Sequence, residues 1–203
     1  MSQLTTSFFQ TILKMEGGYQ NHPDDSGNYA CGELIGTNMG ISAPALQTWW
    51  GRCPSVDDMK GLTQSQAFDF YSWYFHVNNN YAIQSQTLAE LSMNNTMGSI
   101  TGSAKAEQRA LNRLGYNVAV DGQRGPQTVS ALNDAWKKAP SAIYNQIREE
   151  WIAHLKSINK PQFLTGWLYR MDKYFPPMSG AVAGFGVAAV LIIPLLMVYG
   201  KKS

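Results

Sequence analysis

Cysteine is scarce in this 203-residue chain. Only Cys31 and Cys53 occur, which excludes a disulfide-dense scaffold and leaves either one bridge or two ordinary thiols. The three histidines, His22, His76 and His154, are far apart and show no Cys/His ligand spacing, so no metal site is expected. Long runs of one charge are absent: 16 basic and 14 acidic residues give a net charge of +2, without an arm for nucleic acid. GxSxG, P-loop and HExxH motifs are missing, which removes the common serine-hydrolase, phosphate-cradle and zinc-protease readings. The N-terminal MSQLTTSFFQTILKME has neither the basic start nor the apolar core of a secretory signal. What the chain does have is 44% hydrophobic and 12% aromatic residues, enough for one good-sized domain with a small addition.

The apolar residues are unevenly spread. Residues 178–200, MSGAVAGFGVAAVLIIPLLMVYG, carry no charge over a length that matches a hydrocarbon core of about 30 Å. Lys201 and Lys202 follow as a basic tail at 201–203. This pattern predicts a transmembrane helix over 176–200, a single-pass C-terminal anchor in a virion membrane or a bacterial inner membrane, with the domain facing the cell wall. Gly180, Gly184 and Ala188 would share one face of that helix and allow self-association.

Ahead of it the periodicity is helical, and the fold class expected is mostly α. Phe8, Phe9, Ile12 and Leu13 predict a helix from Ser7 to Met15 that ends near Glu16, where Gly17 and Gly18 stop it. Residues 17–41 then form a long irregular stretch, read as a long loop or a small β-ribbon. Further helices are expected over 43–50, after the Thr63–Gln66 capping box, and over 84–93. Ala106, Ala110, Leu111 and Leu114 mark another helix face capped by Gly115; Asp121-Gly122 makes a turn, Pro126 starts the next helix, and a last one runs over 142–158. Pro176-Pro177 separates the globular part from the apolar tail.

The unusual chemistry lies in KMEGGYQNHPDDSGNYACGELIGTNMGIS, residues 14–42. Glu16 stands between an apolar helix and two glycines, at the negative end of a helix dipole, a setting that favours the protonated acid. Glycoside hydrolysis needs such an acid to protonate the leaving oxygen, and a second carboxylate to activate water or attack carbon. Asp25 is the candidate for the second role, and Thr37 offers a hydroxyl to orient the water.

At these residues the chain resembles glycoside hydrolase family 108, the N-acetylmuramidases of bacteria and phages. The matching elements are Glu16-Gly17-Gly18-Tyr19, Pro23, Asp25, Gly27, Thr37 and Gly40-Ile41-Ser42, and the likeness continues through LTQSQAFDFY, VDGQRGPQT and FLTGWLYR. The resemblance implies a lysozyme-like fold and cleavage of the β-1,4 bond between N-acetylmuramic acid and N-acetylglucosamine in peptidoglycan, without a cofactor. It implies Glu16 as general acid, Asp25 and Thr37 as its catalytic partners, and Tyr19 and Gly40 as substrate-binding residues. Residues 1–100 would be the catalytic lobe and 101–175 a peptidoglycan-binding-like lobe of the same globular unit. Two departures stand out. Asn28 to Gly36 is an insertion between Asp25 and Thr37, and places Glu33 as a rival second carboxylate; Ser92, six residues before Gly98, replaces the family's usual Asp, with Asn94 or Asn95 as substitutes. They motivate the alternative of a non-catalytic wall-docking or virion structural protein, whereas the anchored enzyme reading implies phage entry or lysis. A lytic transglycosylase is the other chemical outcome.

Overall fold

The computed structural model describes residues 1–179. Helix α1 spans Thr6–Met15, and a 3-10 turn at Ser26–Asn28 leads into four two-residue strands: β1 (Tyr29–Ala30), β2 (Glu33–Leu34), β3 (Thr37–Asn38) and β4 (Ile41–Ser42). Helices follow: α2 (Ala43–Trp50), α3 (Val56–Lys60), α4 (Gln64–Val77), α5 (Gln86–Gly98), α6 (Ile100–Arg113), α7 (Pro126–Lys138), α8 (Pro140–Ser157) and α9 (Pro161–Tyr174). A second 3-10 turn lies at Asn80–Ala82. The mostly helical expectation therefore holds, with a small β element after the first helix.

Thr5 starts α1 by accepting a hydrogen bond from the Phe8 amide, and Phe8, Phe9 and Ile12 bury its apolar face. The helix ends because Glu16 itself turns extended (φ −95°, ψ 147°). The expected stop by Gly17-Gly18 is corrected on this point: neither glycine has a positive φ, and a Cβ on either would meet nothing within 4 Å. The long loop folds into two antiparallel hairpins, β1–β2 pairing Tyr29 with Leu34 and β3–β4 pairing Thr37 with Ser42. Each closes on two residues with positive φ, Cys31-Gly32 (52° and 83°) and Met39-Gly40 (49° and 75°), the geometry of a type I′ turn. The insertion thus becomes the first hairpin. Its tip is bonded by a Cys31–Cys53 disulfide to the segment after α2, so the two cysteines form a bridge.

Both capping boxes on this side are complete, Thr63 with Gln66 at α4 and Ser55 with Asp58 at the unanticipated helix α3. One apolar cluster runs through both halves of the chain, from Ile12, Ile41 and Leu46 through Tyr71, Leu88 and Met93 to Leu111, Ile143 and Trp151. Across it lies a buried polar knot. Arg124, from the VDGQRGPQT turn, donates to both Glu107 oxygens at 2.7 Å, to the Asn78 carbonyl at 2.6 Å and to the Ser103 hydroxyl at 3.0 Å. Glu107 is fully buried and also accepts from Ser92 at 2.6 Å. A buried charge is tolerated only when paired and hydrogen-bonded, so this turn is locked into the body of the protein.

The expected membrane anchor is corrected. Among the described residues no helix is long and apolar enough to cross a membrane. Most of the apolar run, residues 180–203, including the Gly180-Gly184-Ala188 face, lies outside the described residues. The single-pass localisation, with its lipid partner, is therefore withdrawn.

Candidate active site

Glu16 sits where α1 ends, beneath the second hairpin. The Gly40 backbone crosses its side chain so closely that a Cβ on Gly40 would stand 2.6 Å from Glu16 Cγ and 2.6 Å from the Tyr71 hydroxyl. Tyr71, in α4, donates to the Met39 carbonyl at 2.8 Å, so the hairpin tip is pinned over the carboxyl. Burial, and then the neighbouring Glu16 charge, push the Tyr71 hydroxyl well above the usual phenol range; Arg170 acts in the opposite sense. Tyr71 therefore stays a hydrogen-bond donor at neutral pH.

The fourth wall comes from the far end of the chain. Arg170 in α9 donates from Nη1 to Glu16 Oε1 at 2.8 Å and from Nε to Asn94 Oδ1 at 2.9 Å. Glu16 and Arg170 keep 22% and 26% of their side-chain surface in solvent, so the pair is sheltered yet reachable. Among the described residues Glu16 Oε2 takes no hydrogen bond, which leaves one carboxyl oxygen free for a ligand. Sequence reasoning placed Glu16 at a helix end but missed both Arg170 and Tyr71.

Asp25 and Thr37 belong to a neighbouring network. Asp25 is exposed; Oδ1 caps the 3-10 turn by accepting from the Gly27 amide at 2.9 Å, and Oδ2 accepts from Gln20 Nε2 at 3.2 Å. The Thr37 hydroxyl donates to Asn28 Oδ1 at 2.7 Å. Asn28, fully buried, exchanges hydrogen bonds with Gln20 at 2.9 and 3.0 Å and donates to the His22 carbonyl at 2.9 Å. Gln20 and Asn28 thus join the two expected residues, and neither was singled out from sequence. The insertion does not push Thr37 out of this network, because it packs as a separate hairpin closed by the disulfide. Glu33 stands exposed near the tip of that hairpin.

The residues expected to bind substrate also make contacts within the protein. Tyr19 donates to the Ile35 carbonyl at 3.1 Å, its ring lies over Gly36, and Lys60 Nζ is 5.2 Å from the ring centre. Gly40 covers Glu16. Ser92 serves the Glu107–Arg124 knot, whereas Asn94, two residues on, is the polar group that reaches the Glu16 side through Arg170. Among the described residues no group of three or more His, Cys, Asp or Glu could hold a metal ion.

A half-buried carboxyl with one free oxygen, roofed by a hairpin, is an arrangement suited to acid-assisted hydrolysis of a glycosidic bond. Residues 9–99 match the family model Glycosyl hydrolase 108, and residues 103–172 match the model Predicted Peptidoglycan domain. The match over residues 9–99 shows a glycosidase of the N-acetylmuramidase class acting on peptidoglycan. It is similar to the solved structure of SagA from Brucella abortus, at 27% identity and a TM-score of 0.64, over 83% of this chain and 91% of that one. No curated protein matches.

Proposed function

We propose that Glu16 is the general acid that cleaves the β-1,4 bond between N-acetylmuramic acid and N-acetylglucosamine, with residues 1–100 as the catalytic lobe and 101–175 as its peptidoglycan-binding partner. The observation that carries this reading is the asymmetry of the Glu16 carboxyl: Oε1 is engaged by Arg170 and Oε2 is free. A proton on Oε2 can pass to the leaving glycosidic oxygen while Arg170 keeps Oε1 in place. Asp25 retains lone pairs beyond its two hydrogen bonds and serves as base toward a water. Thr37 has committed its hydroxyl proton to Asn28, so its oxygen orients that water by accepting from it.

Glu16 and Asp25 attach to different parts of the β3–β4 hairpin, Gly40 for the first and, through Gln20 and Asn28, Thr37 for the second. With Asp25 as base toward water, the reaction inverts the anomeric centre and forms no covalent intermediate. A role in phage entry or lysis rests on the activity alone, since the segment that suggested an anchor lies outside the described residues.

The test is a peptidoglycan turbidity or zymogram assay of wild type against Glu16→Gln. Loss of clearing in the variant is expected, and equal clearing by both would sink the assignment of Glu16. No clearing by folded wild type would favour the wall-docking alternative. Mass spectrometry of the products separates hydrolysis, which leaves a reducing muramic acid end, from transglycosylation, which leaves an anhydro end.

A further inference from the structure

Beside Arg170 a cavity of about 130 Å³ opens between α5, α8 and α9. Asn94, Gly98, Trp151, Trp167, Arg170 and Met171 are among its lining residues, so it is mostly apolar with a few polar groups. Trp167 also stacks on Phe163, one turn earlier on α9, with ring centres 5.9 Å apart and planes 30° apart. Phe163 is 52% exposed. Exposed large apolar side chains cost solvation, and a stacked pair at the rim of a pocket marks a binding surface.

We propose that this cavity is a subsite for the N-acyl group of one amino sugar, whose ring lies on the Phe163–Trp167 platform. The inference rests on the Glu16 reading only for which bond is cut, not for the binding itself. A sugar ring is flat and apolar on its C–H faces and polar at its edge, which suits an aromatic platform. An acetamido group, a methyl beside an amide, matches a mostly apolar cavity with the Asn94 amide and the Arg170 guanidinium among its lining groups. Continuity selects the glycan as occupant: Arg170 lines the cavity and touches Glu16, so a strand seated here runs directly into the acid. The residues come from both matched segments, Asn94 and Gly98 from 9–99 and Trp151, Trp167 and Arg170 from 103–172. On this reading the second segment supplies part of the substrate site as well as a means of holding the wall.

The probe is the disaccharide N-acetylglucosaminyl-β-1,4-N-acetylmuramic acid, which lacks the bond that a muramidase cuts, titrated into the full chain and followed by NMR of the tryptophan indole N–H signals. Its N-formyl counterpart, which lacks only the acyl methyl groups, should bind at least about tenfold more weakly, the discrimination expected when a pocket loses a small apolar group. Trp167→Ala should abolish that difference, Trp167→Phe should retain part of it, and Tyr169→Ala, on another side of the helix, should leave it intact. Far-UV circular dichroism and melting separate loss of fold from loss of the subsite. Equal affinity for the two disaccharides, no binding of either, or an unchanged contrast in folded Trp167→Ala would overturn the proposal. So would a concentration-dependent dimer that Trp167→Ala dissolves without altering sugar affinity. Clearing of peptidoglycan by Glu16→Gln would instead refute the Glu16 reading and leave the binding contrast to stand or fall separately.

Discussion

Replacing Gly40 by alanine tests whether the second hairpin is shaped around Glu16. The residue has φ +75°, a region that costs an L-residue about 1–2 kcal/mol. The added Cβ would also sit 2.6 Å from Glu16 Cγ, 2.8 Å from Glu16 Cδ and 2.6 Å from the Tyr71 hydroxyl, well inside contact distance. Relief requires both that Glu16 leave its rotamer, at about 0.5–1.5 kcal/mol, and that Tyr71 release the Met39 carbonyl, at about 1–3 kcal/mol. The expected loss is roughly 3–6 kcal/mol, a fall in melting temperature on the order of 5–25 °C for a chain of this size. Activity should fall further than stability, because displacing a catalytic group by about 1 Å can cost roughly a hundredfold. Gly17→Ala is the internal control: its Cβ meets nothing within 4 Å and its φ is not left-handed, so it should be neutral or slightly stabilising. Scanning calorimetry and turbidity assays at a temperature where both variants are folded give the readings. If Gly40→Ala melts within about 2 °C of wild type and clears at full rate, the close approach of hairpin and carboxyl is not what holds the site.

Two further expectations concern the rest of the molecule. Arg124→Met leaves the fully buried Glu107 without its cation and should cost about 3–5 kcal/mol, whereas Arg124→Met combined with Glu107→Leu should recover much of it; denaturant melts of the single and double variants decide this. His154 Nε2 is buried with no hydrogen-bond partner among the described residues, and burial, then Arg109 and Lys105, hold its pKa below the ordinary value of 6.5. The unfolded chain therefore binds the proton more readily, so stability should fall as pH drops below about 6.5, down to the lowered folded pKa, and level off above that window. His154→Gln should flatten melting temperature against pH across that interval, and an unchanged slope would place the effect elsewhere.

Much of the helical framework is legible in the sequence because its signals are local. The Thr63–Gln66 box, Pro126 at a helix start and the positive-φ glycines after α6 and in the Asp121-Gly122 turn each act within a few residues, and all appear where expected. Helix α9 was missed although PQFLTGWLYRMDKY is amphipathic: Met171 is buried, but Leu164, Trp167 and Tyr174 pack only half-buried against the core, and Phe163 and Tyr169 on the same helix are exposed. The predicted anchor shows the opposite problem, since composition alone carried it and no described element stands behind it.

The candidate site divides along the same line. Glu16, Asp25 and Thr37 lie on one loop, so a linear motif could point to them. Their partners, however, are chosen by packing: Tyr71 lies 55 positions beyond Glu16 and Arg170 another 99 beyond that, too far for any local pattern to link them. Gln20 and Asn28 are local but were hidden for another reason, since Asn, Gln and Gly in a loop ordinarily signify a turn. Only burial distinguishes Asn28, whose amide is fully enclosed and must find partners on both its oxygen and its nitrogen. The requirement selects Thr37 and Gln20 together: an aspartate at 28 would keep the Thr37 bond yet lose both donated bonds, to Gln20 Oε1 and to the His22 carbonyl, and would bury a charge. A loop that looks interchangeable by composition is therefore tightly specified at a polar position that water cannot reach.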